Sequence, residues 1–165
     1  MFVEADATRL PFAGDQFDLV ASRFAIHHID DVPAATCEMA RVCRAGGTVA
    51  LIDMVREEGA AGERHDELER LRDPSHRSAL TERELLSATA AAGLTAEVVS
   101  ERRQRMPLVP WLDQALPAAS AREEVERAVG AETDGGAVTG LNGSRDEQGR
   151  LSIEHRWLIV LGGRR

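Results

Sequence analysis

The stretch from Phe17 to Gly47, FDLVASRFAIHHIDDVPAATCEMARVCRAGG, most constrains what this chain can fold into. It reads as a strand, a loop with two adjacent histidines, a capped helix and a glycine pair leading into another strand. Phe17 to Ser22 is almost continuously apolar, the pattern of a parallel strand covered on both faces. Asp31 suits an N-cap, and Pro33 lies in the first turn, where its missing N–H costs nothing. Ala35, Met39 and Val42 recur at helical spacing, which predicts a helix reaching about Arg44 and stopped by Ala45-Gly46-Gly47. Thr48 to Met54, TVALIDM, is the next strand. Strand, helix, strand in so short a stretch is a right-handed crossover, and it predicts an α/β sheet.

The flanking segments extend the pattern. Phe2 to Ala5 reads as a short strand, and Asp6 to Gln16 as a loop with Pro11, Gly14 and Asp15 as turn formers. Glu63 to Arg72 is charged throughout and predicts a solvated helix, broken by Asp73-Pro74-Ser75-His76. Thr81-Glu82-Arg83-Glu84 matches a capping box opening a helix that stops at Gly93. Leu94 to Glu101 alternates as a strand. Ala118 to Val129 predicts a further helix, Thr133 to Gly149 a loop, and Leu151 to Leu161 a final strand.

At 165 residues the chain has the size of one domain. A net charge of −8 argues against wrapping a nucleic-acid backbone, which requires a basic stripe. No apolar run suggests a membrane span, and the N-terminus lacks the regions of a signal peptide, which predicts a cytoplasmic protein. Cys37 and Cys43, six apart on one predicted helix, point to separated faces. They are expected to be reduced thiols near the core, and no metal ligands are assigned.

The run VEADATRLPFAGDQFDLVASRFAIHH, then EMARVCRAGG, then a strand ending in Asp53, resembles the class I S-adenosylmethionine-dependent methyltransferases, in particular the quinone-biosynthesis and small-molecule branch. Ala45 departs from the proline usual before Gly-Gly in that family. The resemblance covers Phe2 to about Val99 and the final strand. It implies a Rossmann-like sheet in the order 3-2-1-4-5-7-6 with strand 7 antiparallel. Phe2–Ala5 resembles strand 3, Phe17–Ser22 strand 4, Thr48–Met54 strand 5, Leu94–Glu101 strand 6 and Ile153–Leu161 strand 7. Strands 1 and 2, with the glycine-rich cofactor loop, have no counterpart, so residues 1–165 read as a single incomplete, N-terminally truncated domain. Residues 1–101 carry the core resemblance, 102–150 a variable segment suited to acceptor binding, and 151–165 the final strand. Phe2–Ala5 is therefore expected to hang off the sheet, collapse onto strand 4, or keep its family place with unpaired backbone.

The resemblance implies S-adenosyl-L-methionine as cofactor, a small-molecule methyl acceptor, no nucleic-acid partner, and an assembly that could be homo-oligomeric. It assigns cofactor contact to Asp6, Ala7 and Leu10, with Pro11 and Phe12 as further adenine walls. Arg23 and Phe24 stand at the carboxyl end of strand 4, the edge where open α/β sheets bind ligands. In-line methyl transfer draws much of its acceleration from positioning, so no fixed catalytic motif is expected. His27, His28 and His76 are the candidates for taking a proton from the acceptor. Asp53 either faces the substrate or caps its loop, and Trp111 packs on an acceptor or in the core. The competing readings are a non-catalytic binding or dimerisation module and, less favoured, a nicotinamide-dependent oxidoreductase, for whose tyrosine-based versions the chain has no Tyr.

Overall fold

A computed structural model describes residues 2–165. Strands β1 (Phe17–Arg23), β2 (Cys43–Val55), β3 (Leu94–Pro107) and β5 (Leu151–Arg164) form a sheet in the order β1-β2-β5-β3, and the short β4 (Ser144–Arg145) pairs with β5. β1 and β2 are parallel, while β5 runs antiparallel to β2, β3 and β4. The segments assigned to strands 4, 5, 7 and 6 are thus neighbours in that order.

Phe2–Ala5 is a correction to the expected strand 3. It joins no strand, and Phe2 is fully exposed. A strand is held by its ladder, and the free edge of β1 does not recruit these residues. The Phe2–Ala5 backbone makes no ladder with β1, as either an overhanging segment or an unpaired one in the family place would show.

The glycine pair also acts differently from expectation. α1 (Val32–Val42) ends before Cys43, which already has extended dihedrals and pairs with Phe17. Leu19 then pairs with Thr48, so the chain bulges out between Cys43 and Thr48. Gly46 has φ +73°, and a Cβ on Gly47 would come 2.7 Å from Cys43 Sγ and 2.9 Å from the Asp18 carbonyl oxygen. The pair therefore serves a bulge in β2 rather than a helix stop. Cys43 is buried, whereas Cys37 is exposed, against the expectation that both lie near the core.

Two apolar clusters cover the sheet. Ile26, Met39, Leu51, Leu85 and Leu158 belong to the first, between the sheet, α1 and α3 (Glu82–Ala91). Leu68, Trp111, Leu112, Val125 and Ile153 belong to the second, with α2 (Ala60–Arg72), α4 (Leu108–Asp113) and α5 (Ala119–Thr133). The capping box at α3 is present: Glu84 N–H donates to Thr81 Oγ1, and Thr81 N–H donates to the Glu84 carboxylate. α2 is not the solvated helix its charges suggest, because His65, Asp66, Leu68 and Glu69 are all buried. Trp111, 3% exposed, is a core residue. Among the described residues no helix is long and apolar enough to cross a membrane.

Candidate active site

The carboxyl edge of β1 and β2 gathers the histidines. After Arg23 the chain turns at Phe24, whose φ of +51° is rare for a bulky residue and costly. Phe24 is held there by a hydrogen bond from its N–H to the Ile52 carbonyl, 2.9 Å, and by edge-on packing against Trp157 at 4.7 Å between centroids. The Arg23 guanidinium lies over the Phe24 ring. The turn leads into a 3-10 segment, Ile26–His28, that places His27 inside.

His27 Nδ1 lies 2.5 Å from Asp53 Oδ1, with His27 6% and Asp53 2% exposed. Asp53 also accepts Ile26 N–H at Oδ2 and its neighbour Met54 N–H at Oδ1, both at 2.8 Å. Its carboxylate therefore faces the histidine and ties the loop to β2, and the two roles envisaged for it are not exclusive. A neutral imidazole donating Nδ1–H to Asp53 would carry its lone pair on Nε2.

His28 contacts the Ser75 carbonyl and hydroxyl through Nδ1, and so anchors the 73–76 loop. His76 is buried, with Nε2 2.8 Å from Asp66 Oδ1. Asp66 also accepts the Ser78 hydroxyl and Ala79 N–H. Burial would raise its pKa, but His76, Ser78 and Ala79 outweigh that and hold it below the usual range. The His27 carbonyl accepts N–H groups from Arg77 and Ser78. The structure thus brings all three candidate histidines together, with ring centroids 4.2 Å (His27–His28), 5.5 Å (His27–His76) and 6.5 Å (His28–His76) apart.

The residues assigned to the cofactor divide. Ala7, Leu10 and Arg23 line one open apolar groove of about 530 Å³ beside β1, together with Phe12, Leu19 and Ile26. Phe24 lies instead against Trp157. Asp6 is exposed, and its Oδ1 accepts both the N–H and the hydroxyl of Thr8, which hold its pKa below the usual range. The groove wall is built by a contact that sequence reading missed. Arg41 donates to the Leu10 and Phe12 carbonyls, and Glu38 accepts Leu10 N–H while pairing with Arg41. Both side chains come from α1, at the i,i+3 spacing that puts them side by side. That spacing, with a loop of stranded carbonyls upstream, was the available signal.

Sequence reading also missed His65, Glu69 and His155, which meet inside the second cluster. Glu69 Oε1 is 3.1 Å from His155 Nε2 and 3.7 Å from His65 Nε2, yet none of the three atoms has an aligned hydrogen bond. Burial pushes the His155 pKa down, against the pull of Glu69. Burial would raise Glu69, but the two imidazoles prevail and hold it well below the carboxylate range.

The sheet, with its last strand antiparallel, matches the Rossmann-like fold of solved methyltransferases. The profile of the methyltransferase domain family matches residues 1–51. Over this stretch the chain is similar to methyltransferases. It is 42% identical over 76 residues to the uncharacterized methyltransferase YcgJ of Bacillus subtilis, spanning 46% of this chain and 30% of that protein. The crystal structure of YcgJ superposes with a TM-score of 0.87 at 26% identity, covering 98% of this chain and 70% of that one. The demethylmenaquinone methyltransferase of a Roseiflexus species is 43% identical over 56 residues, 34% of this chain and 24% of that enzyme. The chain thus matches less than a third of the length of these curated relatives. The fold extends to the Haemonchus contortus phosphoethanolamine N-methyltransferase 2, solved with S-adenosylhomocysteine (TM-score 0.54, 16% identity, 96% of this chain and 36% of that one).

Proposed function

We propose that the chain serves methyl transfer from S-adenosylmethionine to a small-molecule acceptor, with His27 as the base that takes the acceptor's proton. The buried His27–Asp53 pair at the carboxyl edge of β1 and β2 carries this reading. The apolar wall of Ala7, Leu10 and Phe12 suits a flat purine, and the cofactor bound there supplies an electrophilic methyl group on a sulfonium. Asp6 is the residue proposed for the adenine amino group, after exchanging its Thr8 contacts. Arg23 borders the same groove.

The protein's own contribution is orientation. Asp53 fixes one tautomer of His27, leaving Nε2 as proton acceptor. It also pins Ile26 N–H, so the imidazole cannot swing away without breaking a buried hydrogen bond. Asp66 and His76 hold the 73–78 loop over His27 through the Arg77 and Ser78 N–H groups. The net charge of −8 and the small groove support a small acceptor over nucleic acid.

Calorimetric titration of the 165-residue chain with S-adenosylmethionine tests this reading, with micromolar binding expected. No binding would overturn it in favour of a non-catalytic binding module. In a methylation assay with a panel of small acceptors, His27→Ala should lower the rate by about 10²–10⁴-fold, the usual contribution of a positioned base, with cofactor affinity retained. An unchanged rate would remove His27 from the chemistry.

A further inference from the structure

The proposed methyl transfer makes no use of the cluster between α2 and β5. His65 and Glu69 stand four residues apart on α2 and so share a face, and His155 reaches them from β5. One ligand-type atom from each residue lies within 4.8 Å of the other two, and the three side chains are 1–3% exposed. Buried polar atoms are nearly always paired. Here three neighbouring ones, His65 Nε2, Glu69 Oε1 and His155 Nε2, have no aligned hydrogen bond. A single cation among them would satisfy all three.

The geometry suits such an ion. Metal–ligand bonds of roughly 2.0–2.1 Å in a tetrahedral site place ligand atoms about 3.3 Å apart. The separations from Glu69 Oε1, 3.1 Å and 3.7 Å, bracket that value. A helical i,i+4 pair completed by a ligand from a distant element is a frequent plan for zinc sites, and two imidazoles with one carboxylate suit Zn²⁺. The carboxylate is also held from behind. Arg72 donates to Glu69 Oε2 at 3.2 Å, while its own guanidinium lies 4.5 Å over the Trp111 ring. This is the outer-shell support that aims a metal ligand.

We infer that His65, Glu69 and His155 form a binding site for a divalent transition-metal ion, Zn²⁺ by its donor set, that fastens α2 to β5. The role is structural: α2 also carries Asp66, so the ion would fix the helix that holds His76 and the 73–78 loop. The inference does not depend on methyl transfer.

Because the site is buried, the test refolds the chelator-treated chain in the presence of Co²⁺ or Zn²⁺. One equivalent of Co²⁺ should be retained, with visible ligand-field bands. His155→Gln should weaken its binding by more than the roughly 10–100-fold that loss of an outer-shell partner costs. His28→Ala, at the other cluster, should retain it. If His155→Gln fails to fold, the wild-type chain decides: Zn²⁺ should shift the imidazole nitrogen resonances of His65 and His155 and leave those of His27, His28 and His76 in place. No retained metal in the folded wild type, retention unchanged in His155→Gln, or shifts confined to the other histidines would each overturn the site.

Discussion

Asp53 concentrates three donors on one buried carboxylate: Ile26 N–H, Met54 N–H and His27 Nδ1. An amide offers only one carbonyl oxygen, so Asp53→Asn must strand a donor or turn its NH2 toward one. Buried groups left unpaired cost about 1–3 kcal/mol each, and urea denaturation should show a loss of that size. The same variant should release the His27 tautomer, seen as mixed ring-nitrogen protonation by NMR. A ring still protonated only at Nδ1 would mean that Asp53 does not set it. The adjacent pair His27-His28 was legible in the sequence as a candidate site, because it follows a strand end. What each ring does was not, since their partners Asp53 and Ser75 come from elements far along the chain. Phe24 is similar: nothing in Arg-Phe-Ala announces a positive φ, which follows from Trp157 and Ile52 across the sheet.

The crossover unit was legible at the level of elements because its signals are local: apolar run, cap, helical spacing, glycine pair. The glycines were misread because a helix stop and a bulge both ask for φ > 0, and only strand register separates them. A Cβ at Gly47 meets Asp18 and Arg44 backbone, so Gly47→Ala should cost about 1–3 kcal/mol, as overpacking does, in a denaturation experiment. α1 also shapes the loop before β1, through Glu38 and Arg41. Its pair with Arg41 holds the Glu38 carboxyl down to about 2. A carboxylate depressed in the folded state stabilises it above the unfolded value, about 4.3, and loses that contribution as pH falls from there toward 2. The Leu10 amide should therefore exchange faster with solvent as pH drops through this window, after correction for intrinsic rates. Added salt should weaken the effect, because the Arg41 side of the half-buried pair reaches solvent. Arg41→Ala should show the faster exchange already at neutral pH. Exchange at Leu10 indifferent to pH and to Arg41 would mean the loop holds itself.

At the scale of the molecule, the strand order was legible through the family resemblance, whereas the second cluster was not. HDELERLR reads as a solvated face, and only the distant β5 shows that His65 and Glu69 are covered. β5 is also what makes the two faces one body. Leu158 and Val160 belong to the first cluster and Ile153 to the second, so neither core can open without disturbing the same strand. Leu68 is fully buried in the second cluster, and Leu68→Ala should cost about 2–5 kcal/mol. If β5 couples the faces, that loss should lower the midpoint of the whole chain rather than release α2, α4 and α5 alone. The two tryptophans allow the comparison: Trp111 sits in the second cluster, and Trp157 packs against Phe24 near the histidine edge. Single-tryptophan variants made by Trp→Phe at either position should report the same urea midpoint as the circular dichroism of that variant, with and without Leu68→Ala. A Trp111 midpoint falling well below that of the Trp157 reporter would show that the helical layer over His65, Glu69 and His155 unfolds by itself, and that β5 does not bind the molecule into one cooperative unit.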